Sequence, residues 1–260
     1  MTDSEPILIS ETNLSHAWGK AFLHTLNYGE ISPLIISVSG FRNGEPEEDL
    51  DIRHILDNTL KAHKEQVVHT VANTICPANY RRKLNREEFF NTYLKILDKV
   101  KTLAKSKNRR GIYFERLIAF GSDTNSGNQL EFIISQYKSR KEVRRSMLQA
   151  SIFDPKRDHI TSAQLGFPCL QHLSFVPNNK KETLSLNAFY ATQQIFQKAY
   201  GNYLGLCRLG DFMAREMGLK FNKMNCFIGV EKLEGKNVSK KSLAPLIKVV
   251  RDIIEPIKEE

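Results

Sequence analysis

Two adjacent arginines are the clearest candidate for an anion-binding site. Arg144 and Arg145 end a basic run that begins at Lys138. Two guanidinium groups present forked N–H donors that match the oxygens of a phosphate, which a pair of lysines would do less well. The sequence therefore predicts a phosphate site at this pair. The alternative is that both side chains lie in solvent at the end of a helix, where such charges contribute little.

The candidate nucleophile is Cys169, which follows Pro168. A thiol attacks as its thiolate, and cationic neighbours favour that form. Because Phe167 and Leu170 on either side are apolar, the alternative is a buried structural thiol, a common state of free cysteine. The remaining cysteines are interpreted as core residues: Cys76, Cys207 and Cys226.

The composition is typical of one large domain, residues 1–260, because 41% of the residues are hydrophobic and 26% are charged. No apolar run approaches the roughly 20 residues that cross a bilayer, and the acidic, polar N-terminus is unlike a secretory signal. The cysteines lack CxxC spacing, which argues against a zinc site and a disulfide framework. These features predict a cytoplasmic protein with no metal and no membrane partner. The formal charge of +9 favours anionic partners: nucleotides, nucleic acid or acidic proteins.

The hydrophobic pattern predicts helices and strands in irregular alternation, with a hairpin in the middle, which indicates an α+β fold. Asn85 and Glu88 are expected to cap a helix that begins near Arg86. Residues 30–60 are predicted to be an irregular surface loop, and residues 122–127 a polar turn. Helices are predicted over residues 13–28, 86–105, 193–217 and 243–254, a short one carries Leu130 to Tyr137, and strands are predicted over residues 146–153, 170–176, 183–190 and 224–230.

From Gln129 onward the order of these features resembles the thymidylate synthase family. Arg144-Arg145 is similar to the family's Ser-Arg-Arg, Pro168-Cys169 to its Pro-Pro-Cys, and Asn202 stands where the family has an asparagine that reads the pyrimidine ring. Asp154-Pro155 after a strand, and Gly111-Ile112-Tyr113 before a helix, are further similarities. The resemblance covers about residues 111–217, and the order and spacing of the motifs carry it rather than any single one.

The resemblance implies a thymidylate synthase-like α+β fold, a large mixed or antiparallel sheet packed with helices. It implies that the Cys169 thiolate adds to C6 of a pyrimidine ring, so that C5 can take up a one-carbon unit, with a folate as the donor if the protein is an enzyme. Arg144 and Arg145 would bind the phosphate of a neighbouring subunit's nucleotide, which implies a homodimer. Thr192 stands for a phosphate-binding serine, and Asn202 would bind the O4/N3 edge of the base.

The sequence departs from the family at several positions. Leu170 replaces the histidine after the cysteine, Ala191 replaces an arginine that binds phosphate and activates the thiol, and Gln194 replaces an aspartate near the cofactor. Residues 226–235 hold no counterpart of the family's His-x-Tyr, and no segment matches its folate-binding C-terminus.

Three functions stay open at this point. The first is a pyrimidine nucleotide C5 methyl- or hydroxymethyltransferase acting on a monophosphate. The second is a catalytically degenerate nucleotide sensor, a subunit of a larger assembly such as an antiviral defence complex. The third is a nucleic-acid-binding domain in which the basic surface is combined with stacking by Tyr113, Phe114 and Tyr137.

Overall fold

Segments in which buried and exposed side chains alternate form one seven-stranded mixed sheet. The computed structural model describes residues 5–103, 108, 111–121, 127–161, 167–233 and 238–256. The strands of the sheet are β1 (Ile7–Glu11), β2 (Glu30–Ile31), β3 (Leu34–Val38), β6 (Gln149–Ser151), β7 (Leu170–Asn178), β8 (Thr183–Gln194) and β9 (Lys220–Lys232), and β4 (Phe41–Arg42) and β5 (Glu45–Pro46) form a separate pair.

The strand order is β1-β3-β9-β8-β7-β6, and β2 pairs with part of β9. β1 runs parallel to β3, and β8 runs parallel to β9, whereas the other pairs are antiparallel. The predicted central hairpin is confirmed as β7–β8, with Phe175 paired to Leu186 and the turn over residues 179–182. The mixed sheet agrees with the predicted α+β class.

The helices pack on one face of this sheet. Trp18 in the first helix is fully buried, and its indole N–H donates to the carbonyl of Ile195 at 2.9 Å. None of the helices in the described ranges combines the length and the apolar character that a membrane span needs. The helices are α1 (Leu14–Tyr28), α2 (Leu50–Ala62), α3 (Val68–Ala72), α4 (Ala78–Arg81), α5 (Arg86–Leu103), α6 (Tyr113–Ile118), α7 (Gln129–Ser139), α8 (Pro155–Asp158), α9 (Tyr200–Glu216) and α10 (Ala244–Ile254).

Local signals set the helix ends that were predicted correctly. Asn13 accepts hydrogen bonds from the N–H groups of Ser15 and His16 and so begins α1. Gly29, at φ 93°, ends that helix in a conformation that disfavours side chains with a Cβ. At α5, Asn85 and Glu88 form the expected reciprocal pair of cap hydrogen bonds.

The prediction of an irregular loop over residues 30–60 is wrong. This segment contains β2, β3, the pair β4–β5 and α2. Leu34, Ile36 and Val38 are fully buried, which marks β3 as an interior strand of the sheet. Asp49 accepts from two N–H groups at the start of α2 and caps it.

Two further elements differ from the prediction in their bounds. The strand expected over residues 146–153 is limited to β6, because Arg145–Met147 forms a 3₁₀ turn. The helix expected from residue 193 begins later, since β8 continues to Gln194 and a π-helical turn, Ile195–Ala199, precedes α9. Most of the predicted turn at residues 122–127 lies outside the described residues.

The opposite face of the sheet carries no helix in the described part of the chain, and we call it the open face. Phe189 and Phe227 are 41% and 38% exposed there, with ring centroids 5.5 Å apart. Beside them runs a hydrogen-bonded row in which Asn225 joins Ser37 and Asn187, each at 2.8 Å. Two rows of side chains run across the strands in register on this face. The row centred on the two phenylalanines, called the aromatic row, is Leu8, Ile35, Phe227, Phe189, His172 and Ser151. The polar row is Ser10, Ser37, Asn225, Asn187, Ser174 and Gln149.

Candidate functional site

Cys169 lies immediately before β7 and is exposed. Its carbonyl accepts from the N–H of Ala191 at 2.9 Å, which fixes the start of β7 against β8. The hydroxyl of Thr192 donates to Sγ at 3.9 Å. The alternative interpretation of Cys169 as a buried structural thiol is therefore wrong. The buried-thiol interpretation is correct for the other cysteines, whose pKa values are raised by burial: Cys76, Cys207 and Cys226.

Tyr113, the first residue of α6, lies near Cys169. Burial raises the pKa of its phenol, and the same side chain lies close to Cys169 and Leu170, at an irregularity in the register of β7. Phe114 does not suit the stacking role predicted for it, because it is fully buried against Phe89, whereas Tyr113 is half-buried and its predicted role stays a prediction.

Two residues are candidates to replace the missing arginine at Ala191, and each has a described hydrogen-bond contact. Burial lowers the pKa of His172, and its Nε2 lies 2.9 Å from Oε1 of Gln149 on the open face. The imidazole is therefore neutral at neutral pH and supplies no positive charge. Lys198, in the π-helical turn, donates to Oε1 of Gln66 at 2.8 Å.

The arginine pair lies far from the cysteine within one chain. Arg144 and Arg145 are exposed, as one alternative held, and Nη2 of Arg145 donates to the carbonyl of Pro177 at 3.4 Å. Pro177 is the next-to-last residue of β7, whereas Cys169 precedes its first residue. Eight residues of extended strand, at about 3.3 Å each, separate these two positions by about 26 Å. One chain therefore does not bring the predicted phosphate ligands to the thiol.

Arg145 belongs instead to a cleft of about 790 Å³ between the C-terminal end of α7 and the β7–β8 hairpin. Five cationic side chains line it, and none of its lining residues is acidic. We call this feature the basic cleft. Its lining residues are Tyr137, Lys138, Arg140, Lys141, Val143, Arg145, Pro177, Asn178, Asn179, Lys180 and Met217.

The two other predicted ligands lie on different parts of the fold. Thr192 is exposed beside Cys169 at the carboxyl end of β8. Asn202 is only 5% exposed, in the first turn of α9, where the neighbouring Gly201 packs against Val71. The structure thus brings Thr192 to the thiol and holds Asn202 within the helix layer.

A buried polar cluster behind Cys169 was not predicted. Glu231 is fully buried, burial raises the pKa of its carboxyl well above the usual value, and Tyr203 donates to its Oε2 at 3.3 Å. In the described part of the chain, no hydrogen bond reaches Oε1 of Glu231, either amide atom of the adjacent Gln193, or the hydroxyl of Tyr190. Burial therefore favours the protonated, neutral form of the Glu231 carboxyl.

Strand alternation explains why Glu231 was missed. Met224, Cys226 and Ile228 occupy every second position on the buried face of β9. If this alternation continued, residue 230 would be the next buried position. The observed pattern shifts by one residue, so that Glu231 is buried and Val230 is not fully buried. Among the described residues, no group of three or more His, Cys, Asp or Glu side chains is arranged to hold a metal ion.

Comparison with known proteins adds no assignment to this geometry. The sequence matches no protein-family model, and no curated protein matches it.

Proposed function

We propose that this protein is a thymidylate synthase-like homodimer that binds a pyrimidine nucleoside monophosphate, with its ring against Cys169. The observation that carries this proposal is the exposed thiol at the start of β7, with the Thr192 hydroxyl 3.9 Å from its sulfur. Of the four cysteines in the sequence, Cys169 alone is exposed, and it is the cysteine that the resemblance assigns as the nucleophile. An exposed thiol beside a hydroxyl donor is available for addition to a bound ring.

The open face supports the homodimer. Phe189 and Phe227 form the exposed centre of the aromatic row, and the adjacent polar row offers amides that both donate and accept. Such a surface can pair with a second copy of itself across a two-fold axis. Suppose that the two-fold axis lies between the two stacked sheets and is perpendicular to their strands. The strands of the two subunits then run in opposite directions, so the Arg145 end of β7 in one subunit faces the Cys169 end of β7 in the other. The separation of about 26 Å within one chain is then bridged by the partner.

Each site residue has a defined role in this arrangement. Arg144 and Arg145 of one subunit bind the phosphate on the other subunit's nucleotide, because their donors are exposed. Thr192 orients the sulfur and can also bond a phosphate oxygen. Asn202 binds the O4/N3 edge of the base, which requires the ring to reach the first turn of α9.

The chemistry that follows from these residues is reversible addition. The Cys169 sulfur forms a bond to C6, the electron pair of the C5–C6 double bond moves onto C5 and O4, and C5 takes a proton from water. Loss of a C5 proton and of the thiolate reverses the addition. A folate donor is not part of the proposal, because the amide of Gln194 replaces the family's carboxylate near the cofactor and cannot serve as an anionic acceptor.

Deuterium exchange at C5 separates the enzyme from the sensor. The protein is incubated in D₂O with uridine, deoxyuridine, cytidine or deoxycytidine monophosphate, and NMR follows the C5–H signal while calorimetry measures binding. Binding with exchange that disappears in Cys169→Ser supports covalent addition. Binding without exchange leaves the sensor, and no binding of any of the four nucleotides would refute the proposed function.

A further inference from the structure

The basic cleft contains positive charge that the protein does not neutralise. Elsewhere buried arginines are paired with carboxylates: Arg81 with Asp211 at 2.6 Å, and Arg116 with Asp158 at 2.6 Å. Within the residues that the structure describes, none of the five cations of the cleft forms an ion pair: Lys138, Arg140, Lys141, Arg145 and Lys180. Five unneutralised cations around one concave surface repel one another, and an anionic ligand relieves that repulsion.

The uncharged lining favours one class of anion. The ring of Tyr137 forms part of the wall, and its hydroxyl donates to Oδ1 of Asn179 at 2.9 Å. Asn178 next to it also lines the cleft at the tip of the hairpin. An aromatic ring among cations offers a stacking platform for a base, and exposed amides can bond base edges. An acidic peptide would use the cations alone.

We propose that the basic cleft binds single-stranded nucleic acid, with backbone phosphates on Lys138, Lys141 and Lys180 and a base stacked on Tyr137. The volume of about 790 Å³ lies in the upper part of the roughly 300–1,000 Å³ range of small-molecule sites. It is an open cleft along which a strand can pass. A duplex hides the faces of its bases, so it cannot use Tyr137 in the same way.

This inference does not rest on the proposed nucleotide site. Of the residues assigned to that site only Arg145 also lines the cleft, and the variants below leave it unchanged. Failure of nucleic-acid binding would leave the calorimetry of monophosphates unaffected, and the reverse also holds.

The test is fluorescence anisotropy with labelled oligo-uridine and oligo-deoxythymidine of about 12 nucleotides, within the range of roughly 4–16 nucleotides for single-strand sites. The variant Lys138→Ala/Lys141→Ala/Lys180→Ala is compared with Lys240→Ala/Lys241→Ala/Lys248→Ala, which removes the same charge from exposed positions around α10. Tyr137→Ala removes the stacking ring, and Tyr137→Phe keeps it without the hydroxyl. A blunt duplex of equal length and polyglutamate serve as competitors.

The cleft variant is expected to bind at least tenfold more weakly than the α10 variant. Its plot of log affinity against log salt should be shallower by about 2, since each phosphate contact on a single strand contributes about 0.7. Tyr137→Ala should weaken binding about tenfold and Tyr137→Phe little. Equal loss in both lysine variants, no effect of Tyr137→Ala, or equal competition by duplex or polyglutamate would overturn the proposal. RNA and DNA are distinguished by which oligonucleotide binds more tightly.

Discussion

The hydroxyl of Thr192 lies 3.9 Å from the sulfur of Cys169, across the point where β7 and β8 begin to pair. The contact depends on the hydrogen bond from the Ala191 N–H to the Cys169 carbonyl, which holds the two strands in register. Ala191 has no cationic side chain, so a neutral donor stands beside the thiol where the family resemblance has a charged one. The Thr192 hydroxyl is thus a described donor to this sulfur, and its effect on the reactivity of the thiol can be measured.

Thr192→Val is expected to slow alkylation of Cys169 by iodoacetamide. Removal of a neutral hydrogen bond worth about 0.5–1.5 kcal/mol lowers the thiolate fraction at a fixed pH by roughly 2- to 12-fold. Thr192→Ser keeps the donor and should react at nearly the wild-type rate. The measurement is the alkylation rate against pH, with Cys169→Ser as the background, since the three other thiols are buried. Identical profiles for the valine and serine variants would show that the hydroxyl does not affect the sulfur.

Glu231→Gln is expected to stabilise the protein at neutral pH. The folded-state pKa of Glu231 is raised by burial, whereas an unfolded glutamate titrates near pH 4.3. The contribution of the protonated Glu231 carboxyl to the free energy of unfolding is therefore fully present below about pH 4.3. This contribution is lost as the pH rises toward the folded-state pKa, at up to about 1.4 kcal/mol per pH unit. Glutamine keeps an acceptor for Tyr203 and removes this loss.

Urea unfolding at several pH values measures the effect. The free energy of unfolding of the wild type should fall relative to Glu231→Gln between pH 5 and pH 7, while the exposed control Glu30→Gln should follow the wild type. Parallel curves for all three proteins would mean that the buried carboxyl does not titrate in this way.

Local sequence signals account for the elements that were predicted well. Asn13 and Gly29 mark both ends of α1 within the helix's own sequence, and the β7–β8 turn is equally local. β3 has no such signal, because its partners are β1 on one side and β9, nearly 190 residues later, on the other. A short apolar strand between turn residues resembles an irregular loop until those distant partners are known.

The sequence names candidate site residues but does not predict how the fold arranges them. Residue chemistry and order single out Cys169, Thr192 and the arginine pair. Their separation along β7 could not be predicted, because it depends on where the 3₁₀ turn at Arg145–Met147 meets the far end of that strand. The position of Glu231 depends on a one-residue shift in β9, which strict alternation does not predict.

Phe227→Lys is expected to dissociate the proposed homodimer. The substitution places a charge in the centre of the aromatic row on the open face, where it would have to be desolvated in the interface. Light scattering should give twice the 29.8 kDa chain mass for the wild type and the single chain mass for the variant. Leu94→Lys, at an exposed position on α5, is the matched control and should stay dimeric. A wild-type mass of one chain at micromolar concentration would contradict both the dimer and the shared site.

The shared site predicts complementation between two defective chains. Arg144→Ala/Arg145→Ala should bind a pyrimidine monophosphate at least tenfold more weakly, since each arginine supplies a charged hydrogen bond worth about 1.5–3 kcal/mol. In its homodimer the nucleotide should no longer protect Cys169 from iodoacetamide. Mixed with Cys169→Ser, which contributes intact arginines and no exposed thiol, the double variant gains a complete site in every mixed dimer. After random exchange of subunits, protection should return to about half of the reactive thiols, as two-fold pairing requires.

The control for this experiment is mixing with a Cys169→Ser chain that also carries Phe227→Lys, which should not pair and should restore nothing. Protection of Cys169 in the double variant alone would mean that phosphate is bound within one chain. Because Arg145 is fixed to the end of β7 by the Pro177 carbonyl, about 26 Å from the thiol, such a result would require the nucleotide to find other ligands. Restoration that depends on dimer formation would instead place the arginines of one subunit at the cysteine of the other.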